Sequence, residues 1–200
     1  MLGMTIIILV LTLAIGSYNS EQRSVVGQQT LQNRSEQYVF VFKWGTGGEA
    51  AGEFTRPHDL DFSPSEDKLY AIDRDGNRVQ VFDKNGTYLF EWGSEGEDIG
   101  QFKVPYGEDV DSDGNVWIAD RGNHRVQKFD SEGRFLMKVG SEGTEDLEPG
   151  SELGKFDNPR HVEVDKQLKY VYVADSKNNR ISQFDTKGNY IKSIGQLGTK

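Results

Sequence analysis

The chain contains no cysteine, which removes disulfides, thiolate-ligated zinc and thiol catalysis together. Histidine is nearly as scarce, at 3 residues in 200, and a zinc site needs three or more convergent protein ligands. Basic residues fall short of acidic ones, 23 against 32, for a formal charge of −9. That balance opposes general nucleic-acid binding, which rests on Lys and Arg neutralising phosphates. It equally opposes docking on an anionic membrane surface. No nucleophile–base set, Walker loop or HExxH pattern occurs. Glycine, by contrast, is plentiful at 23 residues, spaced at regular intervals rather than gathered in a tract. The length suits one domain with a real core.

Long apolar runs are also wanting. Thr5–Ile15 (TIIILVLTLAI) is a run of 11, too short for a transmembrane helix of about 20 residues but normal for the core of a signal peptide. Ala14 and Gly16 are small residues placed for cleavage before Ser17, although no Lys or Arg precedes the run. Residues 1–16 are therefore expected to be an export signal, or an anchor if uncleaved, with the protein extracellular or at the cell surface. Residues 17–37 are polar and unpatterned, as expected of a flexible linker. Asn33-Arg34-Ser35 and Asn85-Gly86-Thr87 are glycosylation sequons, relevant in a glycosylating host.

The remainder is one unit written three times. Phe54-x-x-Pro57, Phe102-x-x-Pro105 and Phe156-x-x-Pro159 open the copies, preceded by Gly52, Gly100 and Gly154. An apolar run then ends in Asp73, Asp120 or Asp175. Five residues later stands an arginine (Arg78, Arg125, Arg180), and nine after the Asp a phenylalanine (Phe82, Phe129, Phe184). A turn glycine follows at thirteen (Gly86, Gly133, Gly188) and a closing glycine at twenty (Gly93, Gly140, Gly195). Each copy holds four short β-branched or aromatic segments, and KNG, SEG and TKG supply tight hairpin turns between the third and fourth. The expectation is all-β: four-stranded antiparallel propeller blades at 52–93, 100–140 and 154–195, followed by a short tail at 196–200. Such a blade has two apolar faces and must stack on neighbours.

The succession G-x-F-x-x-P, V-W-I-A-D-x-x-N-x-R-V-Q-x-F-D and G-x-F-L-x-x-x-G resembles the NHL repeat over residues 38–195, most closely in Gly100–Gly140. The resemblance implies a β-propeller, usually a six-bladed ring in which an outer strand from one terminus completes the last blade. Tyr38–Trp44 (YVFVFKW) aligns with the fourth strand of the other copies. The reading is thus three blades plus one orphan strand, thirteen strands, an incomplete ring. The unburied end faces and the free strand are expected to favour self-association.

The repeated pairs Asp73/Arg78, Asp120/Arg125 and Asp175/Arg180 recur at every blade, which suits ties between strands and neighbouring blades rather than a unique active site. Function is expected where equivalent positions differ. After the proline the copies read His58-Asp59, Tyr106-Gly107 and Arg160-His161. His58, Tyr106, Arg160 and His161 are therefore candidate binding residues on one channel rim, suited to an anion or a metal. Two places further, Asp61, Asp109 and Glu163 are expected to face the channel as a hydrated acidic pore or a cation-bridged cluster. Asp109, Asp111 and Asp113 with Gly114 fit D-x-D-x-D-G, and Asp120 takes the twelfth place, a pattern shared by calcium loops and by a plain hairpin turn.

The function read from these features is a non-enzymatic module for a protein, peptide or glycan partner. The resemblance also implies two alternatives. The peptidyl-amidoglycolate (amidating) lyases place zinc-ligating histidines and a catalytic Tyr and Arg around their channel, and Arg56-Pro57-His58-Asp59-Leu60 is similar to their Pro-His stretch, though only one copy has it. Some NHL propellers bind RNA, which the charge and the export signal oppose. Calcium, and less readily zinc, are the cofactors to consider.

Overall fold

The computed structural model describes residues 42–140, 154–165, 167 and 169–195. The expected signal at 1–16, the linker at 17–37, the tail at 196–200 and residues 38–41 lie outside the described residues. Among the described residues no helix is long and apolar enough to cross a membrane.

Three four-stranded antiparallel sheets carry the fold. Two short segments come first, β1 (Thr46–Gly47) and β2 (Glu53–Phe54). The first blade is β3 (Pro57–Phe62), β4 (Lys68–Asp73), β5 (Arg78–Asp83) and β6 (Tyr88–Trp92). The second is β7 (Pro105–Val110), β8 (Val116–Asp120), β9 (Arg125–Phe129) and β10 (Phe135–Gly140). The third is β11 (Pro159–Asp165), β12 (Tyr170–Asp175), β13 (Arg180–Asp185) and β14 (Tyr190–Ile194). Strands in each blade pair in chain order, as short hairpin turns dictate. Asp83, Asp130 and Asp185 build the last turn of each blade, their carboxylates accepting the amides two and four residues on.

Alternation along the strands sends apolar residues to both faces, so the cores lie between blades. Tyr70, Ile72, Val79 and Val81 of the first blade meet Phe102, Val110, Val116, Ile118 and Phe129 of the second. Trp117, Val126 and Val139 meet Phe156, Val162, Val164, Val171, Val173 and Phe184 in the same way. The repeated Asp, with Arg78 and Arg125, are buried beside these cores, and Arg180 is half-buried. Arg Nε stands 3.1 Å from Asp73, 2.8 Å from Asp120 and 2.8 Å from Asp175 in the successive pairs. Each Asp also accepts backbone amides between the opening Phe and Pro (Thr55 and Arg56, Lys103, Asp157). The guanidiniums donate to carbonyls of the incoming connector, including Glu49, Glu97 and Lys155. Gln80 and Gln127, fully buried, hold the same connector through Gly52 and Gly100. These pairs therefore bind each connector to its own blade, and the contact between neighbouring blades falls to other residues.

The closing glycines are seats. A Cβ on Gly45, Gly93 or Gly140 would lie within 3.0, 2.7 and 2.6 Å of the ring of Phe54, Phe102 and Phe156. The opening phenylalanine of each blade thus rests on the glycine closing the strand before it. Among the described residues Gly195 has no such ring over it, and its nearest neighbour is the Asn179 carbonyl. Ile181 and Ile194, opposite each other in β13 and β14, are 45% and 51% exposed. The counterparts of Ile181, Val79 and Val126, are fully buried under the next blade.

At the other end Trp44 packs with Phe54, Ala71, Phe82 and Tyr88, as Trp92 packs on Phe129 one blade later. Trp44 therefore stands in the place of a fourth-strand residue. Phe42–Trp44, the described part of Tyr38–Trp44, forms no ladder. An outer strand needs a third strand beside it, and none precedes β3 among the described residues. The connector pairs instead, β1 with β2 in parallel.

Candidate functional site

A register shift follows the proline in all three inner strands. Pro57 and Asp59 oppose Asp73 and Ile72, leaving His58 out of the pairing. Tyr106 and Gly107 are skipped between Pro105 and Glu108, and Arg160 between Pro159 and His161. A bulge turns its extra residue away from the sheet's alternation. It is the variable residues His58, Tyr106 and Arg160 that are re-aimed.

They converge on Tyr106. The His58 and Tyr106 rings lie 3.8 Å apart, and His58 Nδ1 is 2.7 Å from the Tyr106 carbonyl oxygen. The Arg160 guanidinium stands 5.7 Å from the Tyr106 ring centroid. Two further arginines share the ring, Arg74 at 5.0 Å and Arg121 at 5.4 Å, within the usual cation–π range. Each follows the repeated buried Asp of its blade, where the third copy has Ser176. The clamp that fixes Asp73 and Asp120 against the backbone thereby positions the next side chain over the rim.

Three guanidiniums around one ring repel one another, and little opposes them. Arg74 Nε is 3.5 Å from Asp75, which Arg56 approaches at 3.6 Å. Among the described residues no carboxylate forms an ion pair with Arg121 or Arg160. The Nε atoms of Arg74 and Arg121 are buried and make no hydrogen bond, although buried N–H groups are nearly always satisfied.

His161, the fourth expected rim residue, is held apart from this cage. It crosses above Gly107, where a Cβ would sit 2.7 Å from Nδ1, and approaches Asp59 of the first blade at 3.6 Å. Its Nε2 faces Glu163 at 3.5 Å. Asp59, with Glu163 in support, raises its pKa above the ordinary imidazole value.

The inner-strand carboxylates do other work than a cation-bridged pore would require. Asp61 accepts the Val110 amide of the next blade at 3.0 Å, and Asp109 accepts that of Val164 at 2.6 Å. Asp59 accepts the Glu108 amide at 3.1 Å. These are stitches between inner strands that carry no ladder to each other. Spacing alone could not show this, because the amide being satisfied belongs to another blade.

The D-x-D-x-D-G segment is the β7–β8 hairpin. Asp111 is buried and accepts the amides of Asp113 and Asn115, the Asn115 side chain and Trp117 Nε1, with Lys128 at 3.0 Å. Burial acts to raise its pKa, but these donors outweigh it and hold the carboxyl below the usual range. Asp113 is exposed, while Asp120 is buried with Arg125. The four carboxylates are not brought together, and no group of three or more His, Asp or Glu among the described residues is arranged for a metal. His124 is likewise separate, accepting the Asn158 amide at 3.2 Å.

Glu108 is the site residue that sequence reasoning passes over. It is 3% exposed, and neither carboxyl oxygen makes a hydrogen bond. Burial, with Asp59 and Asp61 nearby, pushes its pKa well above 4.5. Below about 4.5, the ordinary value for a glutamate, folded and unfolded chains both hold the proton. Above it the unfolded chain ionises freely and the folded one does not, so stability falls as pH rises toward the folded pKa. Glu108→Gln should remove that fall. Thermal melts from pH 4.5 to 8 should show the variant increasingly more stable than the parent as pH rises; parallel curves would refute the assignment.

Against known proteins, residues 109–129 match the NHL repeat model, so the second blade carries an NHL repeat. No curated protein matches the chain. Among solved structures it is similar to hydrazine synthase of Kuenenia stuttgartiensis, with 18% identity, TM-score 0.55, and 75% of this chain against 38% of that one. It is also similar to a catalytically inactive virginiamycin B lyase from Staphylococcus aureus, with 14% identity, TM-score 0.53, and coverage of 74% and 42%. U3-55K gives 12% identity, TM-score 0.55, and coverage of 70% and 39%. These likenesses concern the fold, an all-β propeller with an incomplete set of blades. The chain spans roughly two fifths of the length of the structures it resembles.

Proposed function

We propose that this chain of NHL-type blades is a non-enzymatic binding module, exported from the cell, that receives a protein or peptide partner on the face around Tyr106. The observation that carries this is the convergence of positions at which the three copies differ. A repeated scaffold keeps Phe, Pro, Asp and Arg constant for packing, and its non-repeating residues gather at one place. The arginine-rich character of that place favours a charged partner over a neutral glycan. The apolar run Thr5–Ile15 supports the export component. An amidating-lyase-like reading would use His58, Tyr106, Arg160 and His161 as a metal-assisted centre. The three histidines, however, face different partners: the Tyr106 carbonyl, the Asn158 amide and the Asp59 carboxylate.

A peptide-display selection against the full chain tests the reading, with counter-selection on a Tyr106→Ala/Arg160→Ala variant. Enriched peptides should bind the parent and lose binding to the variant. Equal binding to both would place the partner surface elsewhere.

A further inference from the structure

We propose that the Tyr106 cage is a carboxylate seat, and that the partner enters it with an aspartate or glutamate side chain of an acidic peptide segment. This rests on the Tyr106 face being the partner surface and names the chemistry of that contact. Arg74, Arg121 and Arg160 stand 5.0, 5.4 and 5.7 Å from one ring centroid, in a chain whose net charge is −9. Such a gathering of like charge against the overall balance is unfavourable until an anion joins it. The Nε–H of Arg121 is a buried donor with neither a hydrogen bond nor an ion pair among the described residues, and that of Arg74 has only the 3.5 Å approach of Asp75; guanidinium Nε–H belongs to the edge that grips a carboxylate through parallel hydrogen bonds. The His58 ring packs on the same Tyr106 ring.

The surroundings select the class of anion. Asp75 lies beside Arg74, and Asp59 and Glu163 flank His161. These acidic neighbours oppose a single monoanionic carboxylate less than a multiply charged anion. A nucleic-acid backbone would set successive phosphates against them, and its affinity depends on many basic contacts that a chain of this charge does not offer.

Fluorescence anisotropy on the full chain tests the proposal. The probes are a labelled, end-capped Gly-Asp-Glu-Gly peptide and its Gly-Asn-Gln-Gly counterpart, with inorganic phosphate and oligouridine as competitors. The acidic peptide should bind and the amide peptide should not. Arg121→Gln should weaken binding by roughly tenfold or more, the worth of a charge-assisted hydrogen bond, with the melting temperature unchanged. Equal binding of the two peptides, or no effect of Arg121→Gln, overturns the carboxylate seat. Displacement by phosphate or oligouridine at lower concentrations than unlabelled acidic peptide overturns it in favour of a phosphate ligand. Display-selected peptides that need Tyr106 but contain no acidic residue would leave the binding face standing and remove only the carboxylate.

Discussion

Asp120→Ala is expected to destabilise the chain by about 3–5 kcal/mol, the range for breaking a buried ion pair from one side. Asp120 is fully buried and accepts from Lys103 N, Asn123 Nδ2 and Arg125 Nε, each at 2.8 Å. Burial pushes its carboxyl above the ordinary range, with the Lys103 amide, Asn123 and Arg125 acting against that shift. The pair is therefore weak grounds for net stabilisation, but removing its acid leaves Arg125, 1% exposed, as an uncompensated charge. The double variant Asp120→Ala/Arg125→Met should recover part of the loss, since it removes the stranded charge as well. Urea unfolding of both variants measures this. A loss below about 1 kcal/mol for the single variant, the size of an exposed pair, would show that the connector clamp is dispensable.

Phe102→Ala should have a comparable effect, about 3–5 kcal/mol for a buried aromatic, but of a different kind. Phe102 is fully buried on the Gly93 seat and belongs to the cluster joining the first and second blades. In a stacked repeat, stability is a sum of unit and interface contributions, so damage at one interface should uncouple the units it joins. Scanning calorimetry of the variant should resolve an early transition from a later one. Phe54→Ala makes the comparison, because its cluster is smaller and includes the partly buried Trp44 and Tyr88. A single sharp transition displaced downward in Phe102→Ala would mean that the inner-strand stitches alone keep the blades cooperative.

The blades were legible because their signals are local. Turn glycines, alternation and the buried Asp at a fixed distance from Arg all act within one copy. What escaped depends on register or on a neighbour. The bulges that project His58, Tyr106 and Arg160 arise from cross-strand pairing, which spacing along one strand does not reveal. Asp61 and Asp109 look like pore residues until the amides of Val110 and Val164 are seen opposite them. The D-x-D-x-D-G segment is ambiguous for a physical reason: a carboxylate that caps a hairpin and one that binds calcium require the same short-range spacing. Arg74 and Arg121 did leave a signal, since Asp-Arg, Asp-Arg and Asp-Ser differ among the copies. That variation falls directly after the repeated Asp, outside the stretch that follows the proline.

The Gly195 seat, which no ring covers among the described residues, and the Phe54 ring have a consequence for how copies could meet. They are the two unlike halves of one head-to-tail contact, and unlike halves on a single molecule permit open-ended growth when rotation does not close the array. Here the halves are unequal. Ile181 and Ile194 are exposed, whereas Phe54 is already packed by Trp44 and seated on Gly45. A second copy can offer Phe54 to Gly195 only by first withdrawing its own Trp44. The tryptophan thus acts as a stopper over Phe54, so that anything seated on that ring would have to displace it rather than simply add to it.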